Sequence, residues 1–220
     1  MQARQGAASK IMIIETFSVG PIQCNCTILG DEETGEAIII DPGDDPEKII
    51  ACLEKHKLKA TQLVCTHTHI DHVGGIYELQ ERLSTPAAIH KADLFLYEKI
   101  DVQAQWCGMP VPKRAAIDNF VVDGDAVSCH GVEMGVIHTP GHTPGSTTFH
   151  LKSDRNILFT GDTLFMQSIG RTDLWGGSYQ EILRSIENKL MTFDDDTLVI
   201  PGHGQATTIG HEKRYNPFLR

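Results

Sequence analysis

The chain has 220 residues, of which 40% are hydrophobic and 22% charged, and its formal net charge is −10. This length allows one large domain or two small ones with a sizeable buried core. The acidic balance argues against a nucleic-acid partner, which would require a basic face. No apolar run approaches the roughly 18 residues that predict a membrane span.

The N-terminal residues and the cysteines indicate where the protein works. Residues 1–10 are small and polar, which predicts a disordered lead with no apolar core of a signal peptide. The six cysteines are scattered along the chain. Cys24 and Cys26 could bind a metal or form a disulfide, but their apolar surroundings favour two cysteines in a strand. We therefore expect a reducing compartment and a cytoplasmic protein.

The first half of the chain alternates strands and helices. Apolar and β-branched runs predict strands at residues 11–19, 24–29, 36–40, 63–66 and 86–90. Helices are predicted at residues 46–57, 76–83 and 91–99. Asp45 is the expected N-cap of the first helix, with Pro46 in its first turn. Residues 101–118 show no clear period and contain two prolines, which predicts a long connection that covers a site.

The second half is richer in short strands. These are predicted at residues 120–122, 126–129, 132–138, 146–151, 157–160 and 198–200. An amphipathic helix is predicted at 179–191, and a short helix or tail from residue 210. No Pro/Gly/Ser-rich linker divides the two halves. We therefore predict one domain over residues 11–220, of the α+β class, with two packed β-sheets and outer helices.

A histidine-rich segment follows the predicted strand at 63–66. His67, His69, Asp71 and His72 fall within six residues. Side chains of a strand alternate, so His67 and His69 point to one side, and a following turn brings Asp71 and His72 beside them. Imidazole and carboxylate groups together suit zinc, iron or manganese. The alternative, a histidine-rich surface loop, is weakened by the donors found later in the chain.

Three further donors stand where later strands are predicted to end. His142, Asp162 and His203 each lie next to glycine, directly after a short apolar run. One such residue alone is more often an ordinary loop residue, but several at strand ends predict a metal site at one end of two packed sheets. His138 is the nearest rival of His142; because it lies on the predicted strand itself, His142 is the preferred donor.

These residues, in this order, resemble the metallo-β-lactamase-fold superfamily. The resemblance rests on Asp41-Pro42-Gly43, the 67–72 cluster, His142, Asp162 and His203. It implies an αββα sandwich with two divalent metal ions, zinc first, and iron or manganese as alternatives. The implied ligands are His67, His69 and His142 for one ion, and Asp71, His72 and His203 for the other, with Asp162 bridging. Asp41 is implied to support the ligands without being one.

Within that superfamily the chain is most similar to glyoxalase II (hydroxyacylglutathione hydrolase) in its short bacterial form. The segments that carry this likeness are residues 161–165, 169–173, 201–204 and 216–218. They imply hydrolysis of S-D-lactoylglutathione or a related acyl-glutathione thioester, with Arg171 contacting the substrate. The chain departs from full-length members, which have a C-terminal helical domain and an aromatic residue where Thr172-Asp173 stands here.

The chemistry of the implied site favours a thioester. A bound divalent metal lowers the pKa of water to about 7, so a metal-bridged hydroxide is available as the nucleophile. Asp71 and Asp162 are ligands that could also orient this hydroxide, which makes them the candidate catalytic residues. A thiol with a pKa of about 8.5 leaves without a strong general acid, whereas a lactam nitrogen needs a proton. Lys213 and Arg214 are further candidate cations for an anionic substrate.

Two other functions stay open. Persulfide dioxygenases share the fold and a similar Gly-Arg-Thr-Asp segment, and the resemblance implies one iron held by His67, His142 and Asp162, a 2-His-1-carboxylate set. The second is a binding module without turnover, which the complete ligand set disfavours. The expected partner is a small-molecule thioester, with neither nucleic acid nor membrane involved, and the oligomeric state is open.

Overall fold

The first of two β-sheets has six strands and mixed direction. The structure, a computed structural model, describes residues 12–220, so Ile11 and the predicted lead at 1–10 lie outside the described residues. The strands are β1 (Met12–Val19), β2 (Cys24–Asp31), β3 (Glu36–Ile40), β4 (Lys59–Val64), β5 (Ala87–His90) and β6 (Asn119–Val121), in that spatial order. β1 to β3 are antiparallel, whereas β3 to β6 are parallel and need crossover connections.

The crossovers of this sheet are helical. They contain α1 (Pro46–His56), α2 (Ile70–Val73), α3 (Ile76–Leu83), α4 (Leu94–Tyr97) and α5 (Ile100–Cys107). A short 3₁₀ turn, Lys91–Asp93, precedes α4. α2 directly follows the loop after β4, which is the histidine-rich segment.

The second sheet is also mixed and six-stranded. Its strands are β7 (Ala126–Cys129), β8 (Val132–His138), β9 (Thr147–Leu151), β10 (Ile157–Gly161), β13 (Leu198–Pro201) and β14 (Thr207–Thr208). The spatial order is β14-β13-β10-β9-β8-β7, and β10 and β13 form its one parallel pair. A small hairpin, β11 (Leu164–Phe165) with β12 (Ser168–Ile169), follows β10. The helices of this half are α6 (Tyr179–Ser185), which continues as a π-helical turn at Ile186–Leu190, and α7 (Ile209–Tyr215).

Three apolar clusters show how the layers stack. The central cluster joins residues of both sheets, including Ile38 and Ile40 of β3 and Phe149 and Phe159 of the second sheet. A second cluster joins the first sheet to α1, α3 and α5, and a third joins the second sheet to α6 and α7. Helices therefore cover both outer faces, and the predicted α+β arrangement of two packed sheets is confirmed as an αββα sandwich.

The sequence of β3 shows why this stacking forms. Its residues Ala37 and Ile39 belong to the helix-side cluster, whereas Ile38 and Ile40 belong to the cluster between the sheets. A strand covered on both faces needs a continuous apolar run, which β3 has. Burying each isoleucine contributes about 1.5–3 kcal/mol, so the two faces together fix the position of the strand.

One local prediction is wrong, and it has a physical reason. Residues 101–118 are not only a connection, because α5 covers Ile100–Cys107. The buried face of α5 includes the polar Gln103, which breaks the apolar period that would have revealed the helix. Asp45 is at the predicted N-cap position of α1, with Pro46 in the first turn, but its side chain makes no capping hydrogen bond. Its φ is 52°, and its side chain accepts a hydrogen bond from the backbone N–H of Gly20 at 3.0 Å.

Most of the predicted strands and helices recur with bounds that move by one or two residues. The larger shift is at β4, which spans Lys59–Val64 where 63–66 was expected, so the histidine-rich segment begins three residues after the strand ends. In the described part of the chain, no helix combines the length and apolar character that crossing a membrane requires.

Candidate metal centre

The histidine-rich segment follows the carboxyl end of β4, an interior strand of the first sheet, and leads into α2. His67 Nε2 and His69 Nδ1 are 3.2 Å apart, and His69 stands at the N-cap position of α2. Asp41 supports the start of this segment, because its carboxylate accepts hydrogen bonds from Thr66 N at 2.7 Å and Thr66 Oγ1 at 2.8 Å. These bonds fix the backbone where the two histidines leave the strand.

His142 reaches the same point from the second sheet. It lies in the loop between β8 and β9, and its Nε2 is 2.9 Å from His69 Nδ1. Its other ring nitrogen, Nδ1, donates to the carbonyl oxygen of Arg171 at 2.7 Å. This bond fixes the ring and its tautomer, so the lone pair is on Nε2, the nitrogen that faces His69. Gly141 has φ of +136°, and a Cβ there would lie 2.2 Å from the backbone nitrogen of Ile182. Only glycine therefore fits this turn.

A second group of donors lies beside the first. His72 Nε2 and His203 Nε2 are 3.3 Å apart, and His203 Nε2 is 3.1 Å from Asp71 Oδ2. The other nitrogen of His72, Nδ1, lies 3.0 Å from Asp41 Oδ2. Asp41 thus orients both the first turn of the segment and the last histidine in it. Asp71, His72 and His203 each offer one donor atom within a single small volume.

Asp162 stands between the two groups. Its Oδ2 is 3.6 Å from His142 Nε2, and its Oδ1 is 3.4 Å from His72 Nε2 and 3.7 Å from His203 Nε2. Oδ1 is buried and has no hydrogen-bond partner among the described residues. A buried carboxylate oxygen without a partner is costly unless something else satisfies it. Because Oδ2 faces the first group and Oδ1 the second, the carboxylate as a whole fits a ligand shared by two metal ions.

The electrostatics of the first group suit metal binding. Burial lowers the pKa of His67 well below its ordinary value, and neighbouring rings add to this effect. Burial likewise lowers the pKa of His69 to about 3 and that of His142 in the same direction. The three rings are therefore neutral at neutral pH and keep lone pairs for a metal.

The second group and Asp162 are more strongly charged. Burial acts to lower the pKa of His72, but nearby Cys24 and the carboxylates of Asp41 and Asp71 outweigh it and raise the pKa. For Asp162, burial acts to raise the pKa, whereas the adjacent histidines outweigh it and hold the pKa below its ordinary value. The ionised carboxylates would satisfy the charge of a divalent cation, so this donor set fits two metal ions.

Asp93 and Gln103 are supporting residues that sequence reasoning missed. Asp93 is fully buried and accepts hydrogen bonds from Thr68 N at 3.1 Å, Thr143 Oγ1 at 2.8 Å and Gly145 N at 2.5 Å. It therefore joins the segment with His67 and His69 to the loop with His142. A carboxylate just beyond the end of β5 was the available signal, since the other site residues also follow strands.

Gln103 fixes α5 to the same segment. Its Oε1 accepts a hydrogen bond from Ile70 N at 3.0 Å, and its Nε2 donates to the carbonyl oxygens of Thr68 at 3.2 Å and Leu96 at 2.9 Å. A buried glutamine within a short helix gives no signal in the sequence, because its partners are backbone groups that only the fold brings near.

A cavity of about 340 Å³ opens over the donors. Its lining includes His69, Asp71, His142, Asp162 and His203, together with Arg171, Cys107, Trp106 and Trp175. Arg171 is the predicted substrate contact, and its guanidinium forms two hydrogen bonds with Asp173, at 2.7 and 2.8 Å. It lies at the rim with its side chain 59% exposed.

The remaining candidates lie elsewhere. His138 stacks on His90 with ring centroids 4.2 Å apart, outside the donor groups. Lys213 and Arg214 pair with Asp195 at 3.0 Å each and do not line the cavity. Cys24 and Cys26 are buried within β2 and free, so they form no disulfide, whereas Cys24 together with Asp41 and His72 forms a group whose donor atoms could hold a metal ion. Cys24 does lie close to the site, with its Sγ 3.5 Å from His72 Nδ1.

Comparisons with known proteins point to one family and its fold. The profile of the metallo-beta-lactamase superfamily matches residues 19–203. Hydroxyacylglutathione hydrolase GloC of Haemophilus influenzae is 40% identical over 215 residues, which cover 94% of this chain and 98% of that protein. The crystal structure of BLEG-1 B3 metallo-beta-lactamase superposes with a TM-score of 0.87 and 35% identity, over 94% of this chain and 99% of the other. That of TTHA1623 in a di-iron-bound form gives 0.82 and 36%, over 93% and 100%.

Proposed function

We propose that the chain, which belongs to the metallo-beta-lactamase superfamily, is a metal-dependent hydrolase of thioesters. The proposed substrate is S-D-lactoylglutathione or a related acyl-glutathione thioester. The observation that carries the proposal is the position of Asp162, whose carboxylate presents Oδ2 to His142 of the first donor group and the unpartnered, buried Oδ1 to His72 of the second. GloC, the relative from Haemophilus influenzae, is named for this reaction and supports the choice of substrate.

The proposed ligands divide into two sets that share one carboxylate. The ligands of the first ion are His67, His69 and His142, those of the second are Asp71, His72 and His203, and Asp162 belongs to both. When bound, two divalent ions supply a water acidified to a pKa near 7 and polarise the substrate carbonyl. Zinc is the proposed metal; the di-iron form of TTHA1623 makes iron the first alternative.

The chain's own residues hold this arrangement in place. The carbonyl of Arg171 fixes the ring of His142, and Asp41 fixes His72. The carboxylates of Asp71 and Asp162 can also accept a proton from the attacking water, since both face the interior of the cavity. Hydrolysis breaks the carbon–sulfur bond and adds water, which gives a carboxylic acid and a thiol. The sulfur leaves as a thiolate and needs no dedicated acid.

Arg171 is the proposed contact for the anionic carrier. It lies at the mouth of the cavity, where a carboxylate of glutathione could replace Asp173 as its partner. An exposed ion pair contributes little, so exchanging one carboxylate for another costs little. We further propose that the protein acts in the cytoplasm, since all six of its cysteines are free.

The oxygenase alternative uses fewer of the observed donors. One iron held by His67, His142 and Asp162 would leave Asp71, His72 and His203 without a role, although their donor atoms also converge. Opening of a β-lactam is a second alternative, raised by the likeness to BLEG-1. A ring nitrogen needs a proton as it leaves, whereas a thiolate does not, which favours the thioester.

The test is a three-arm assay on protein of measured metal content. The first arm supplies S-D-lactoylglutathione without oxygen and follows thiol release, the second supplies glutathione persulfide and follows oxygen uptake, and the third supplies a chromogenic cephalosporin. We expect turnover in the first arm with about two metal ions per chain. Oxygen uptake with about one iron per chain, or turnover of the cephalosporin alone, would overturn the proposal.

A further inference from the structure

The chain has two tryptophans, and both lie beside the metal centre. Trp106 ends α5 and Trp175 lies in the loop after β12, and both line the cavity. Their ring centroids are 4.3 Å apart with a tilt of 56°, and the side chains remain 61% and 36% exposed. We call this pair the aromatic wall. Large exposed aromatic surface at a cavity usually marks a place where a ligand binds.

The Trp106 side of the wall is fixed relative to the proposed metal ligands. Trp106 lies three residues after Gln103, which hydrogen-bonds the backbone of Thr68 and Ile70 on either side of His69. One short helix therefore carries both the anchor and the tryptophan. A ligand that contacts Trp106 is consequently held at a defined position with respect to His69.

The Trp175 side is fixed through a different loop. The residues before it are tied to His142 by the carbonyl of Arg171, and after it Ser178 N donates to Gly141 O at 2.8 Å. Gly176 has φ of +77°, and a Cβ there would lie 2.5 Å from Pro144. Each half of the wall is thus bound to a different ligand-bearing loop, so the pair is already positioned before any substrate arrives.

The charges around the wall indicate what it does not bind. The cations nearest to it are Arg171, which Asp173 engages, and Lys99, whose Nζ lies 5.9 Å from the centre of the Trp175 ring. Leu174 and Ile22 extend the apolar surface of the cavity. The wall therefore offers flat apolar area with little charge, which suits an aromatic or bulky apolar group.

We propose that the aromatic wall is an acyl-group subsite that selects thioesters with an aromatic or similarly bulky apolar acyl group. This proposal rests on the proposed thioester hydrolysis. The glutathione carrier bears two carboxylates and an ammonium group, which suit Arg171 at the rim better than the apolar faces of the two rings. The acyl group is attached directly to the reacting carbon and is the apolar part that remains.

A matched pair of substrates tests the subsite. S-D-lactoylglutathione and S-D-mandeloylglutathione differ by one exchange, a methyl for a phenyl group. The quantity to measure is the ratio of their kcat/KM values in the metal-loaded protein and in Trp106→Ala and Trp175→Ala. The difference in intrinsic reactivity between the two thioesters is the same factor in every ratio, so it cancels when the ratio of a variant is divided by that of the wild type. We expect each variant to lower the mandeloyl-to-lactoyl ratio about tenfold, which corresponds to about 1.4 kcal/mol.

Two controls accompany the kinetics. Phe120→Ala removes another exposed aromatic side chain, on β6 and outside the cavity lining, and should leave the ratio unchanged. Trp175→Phe retains a flat ring and should keep most of the mandeloyl preference. A ratio that stays the same in both alanine variants would overturn the subsite, even if both thioesters are hydrolysed.

A binding measurement separates the subsite from the catalytic proposal. Because both tryptophans are in the wall, tryptophan emission excited at a wavelength that tyrosine does not absorb reports on the wall alone. S-benzylglutathione and S-methylglutathione are thioethers that this reaction cannot hydrolyse. We expect the half-saturating concentration, measured from the change in emission, to be at least tenfold lower for the benzyl compound than for the methyl compound. Equal half-saturation would overturn the subsite. Tight benzyl binding without turnover of either thioester would support the subsite and contradict the proposed hydrolysis.

Discussion

The two halves of the sandwich contribute to the candidate metal centre in opposite ways. The first half supplies His67, His69, Asp71 and His72 from one loop and the helix that follows it. The second half supplies its three donors, His142, Asp162 and His203, from the ends of three different strands. One half thus builds its share of the site locally, and the other builds it from strand pairing across a sheet.

This difference locates the sensitive part of the site. Asp162 follows Gly161, whose φ is +48° and whose position would bring a Cβ within 2.2 Å of Thr66 Oγ1. The pairing of β10 with β13 is irregular just there, between Phe159 and Gly161. Backbone packing between elements distant in sequence therefore sets the position of Asp162. We expect the second half to tolerate changes near its donors less well than the first.

Removing the shared carboxylate should have the largest effect. Asp162→Ala takes away the carboxylate that faces both donor groups, so turnover should fall by more than the roughly 10–100-fold typical of residues that only support ligands. Metal content by elemental analysis should fall with it. Asp154→Ala, an exposed aspartate of the same half, is the control. A variant that keeps both full metal content and turnover would show that Asp162 does not bridge.

A steric clash introduced next to Asp162 should have the second largest effect. In Gly202→Ala the added Cβ would lie 2.3 Å from Asp162 Oδ1 and 2.7 Å from His72 Cε1. Overpacking of this kind costs about 1–3 kcal/mol, and we expect it to appear as weaker metal binding measured by competition with a chelator. Gly204→Ala is the matched control, since a Cβ there meets nothing within 4 Å although its φ is +74°. Because only Gly204 has a positive φ, equal losses in the two variants would show that the contact with Asp162 and His72 is not what weakens metal binding.

Loss of the hydrogen bonds by which Asp93 connects the two halves should have the next largest effect. Asp93→Asn replaces one acceptor oxygen with a donor that would face the N–H of Gly145 or the donors of Thr68 and Thr143. We expect metal affinity to fall roughly 10-fold, as is common when a group that orients ligands is lost. If affinity is unchanged while stability falls, Asp93 supports the fold without positioning the ligands.

The same residue predicts a pH dependence of stability. Burial raises the pKa of Asp93 from 3.8 to about 6, against hydrogen bonds that lower it. The folded protein therefore binds this proton more tightly than the unfolded chain, so the free energy of unfolding should fall as pH rises from about 4 to 6. The contribution is at most about 3 kcal/mol. Because the buried histidines with lowered pKa values act in the opposite sense over the same range, the Asp93 contribution is measured by chemical denaturation as the difference in the free energy of unfolding between the wild type and Asp93→Asn. This difference should fall from about pH 4 to 6, and a constant difference would contradict the prediction.

Substitutions of Arg171 and Asp173, at the rim of the cavity, should have the smallest effect. Arg171→Ala should raise KM for acyl-glutathione thioesters several-fold, and less for a neutral thioester, because only the former bring a carboxylate. Asp173→Ala frees the guanidinium from its present partner and should shift KM in the opposite direction. Equal changes for charged and neutral substrates would show that Arg171 does not contact the anionic carrier.

What could be predicted from sequence follows the same division. The 67–72 segment is recognisable because its spacing alone determines its geometry, and the later donors are recognisable because each follows an apolar strand next to glycine. Asp93, Gln103 and the Trp106–Trp175 pair were missed. Their roles depend on partners brought together by the fold, and the polar Gln103 also hid α5 from a search for apolar periodicity.

One consequence follows from the way the proposed ligands divide between the sheets. Each ion would draw ligands from both halves: His67 and His69 with His142, and Asp71 and His72 with His203. Metal binding is therefore thermodynamically linked to the docking of one sheet on the other. At a free metal concentration 100 times its Kd, each ion would stabilise the docked form by about 2.7 kcal/mol. The free energy that holds the two sheets together would therefore depend on the concentration of free metal in the cell, and removing the metal would weaken their association.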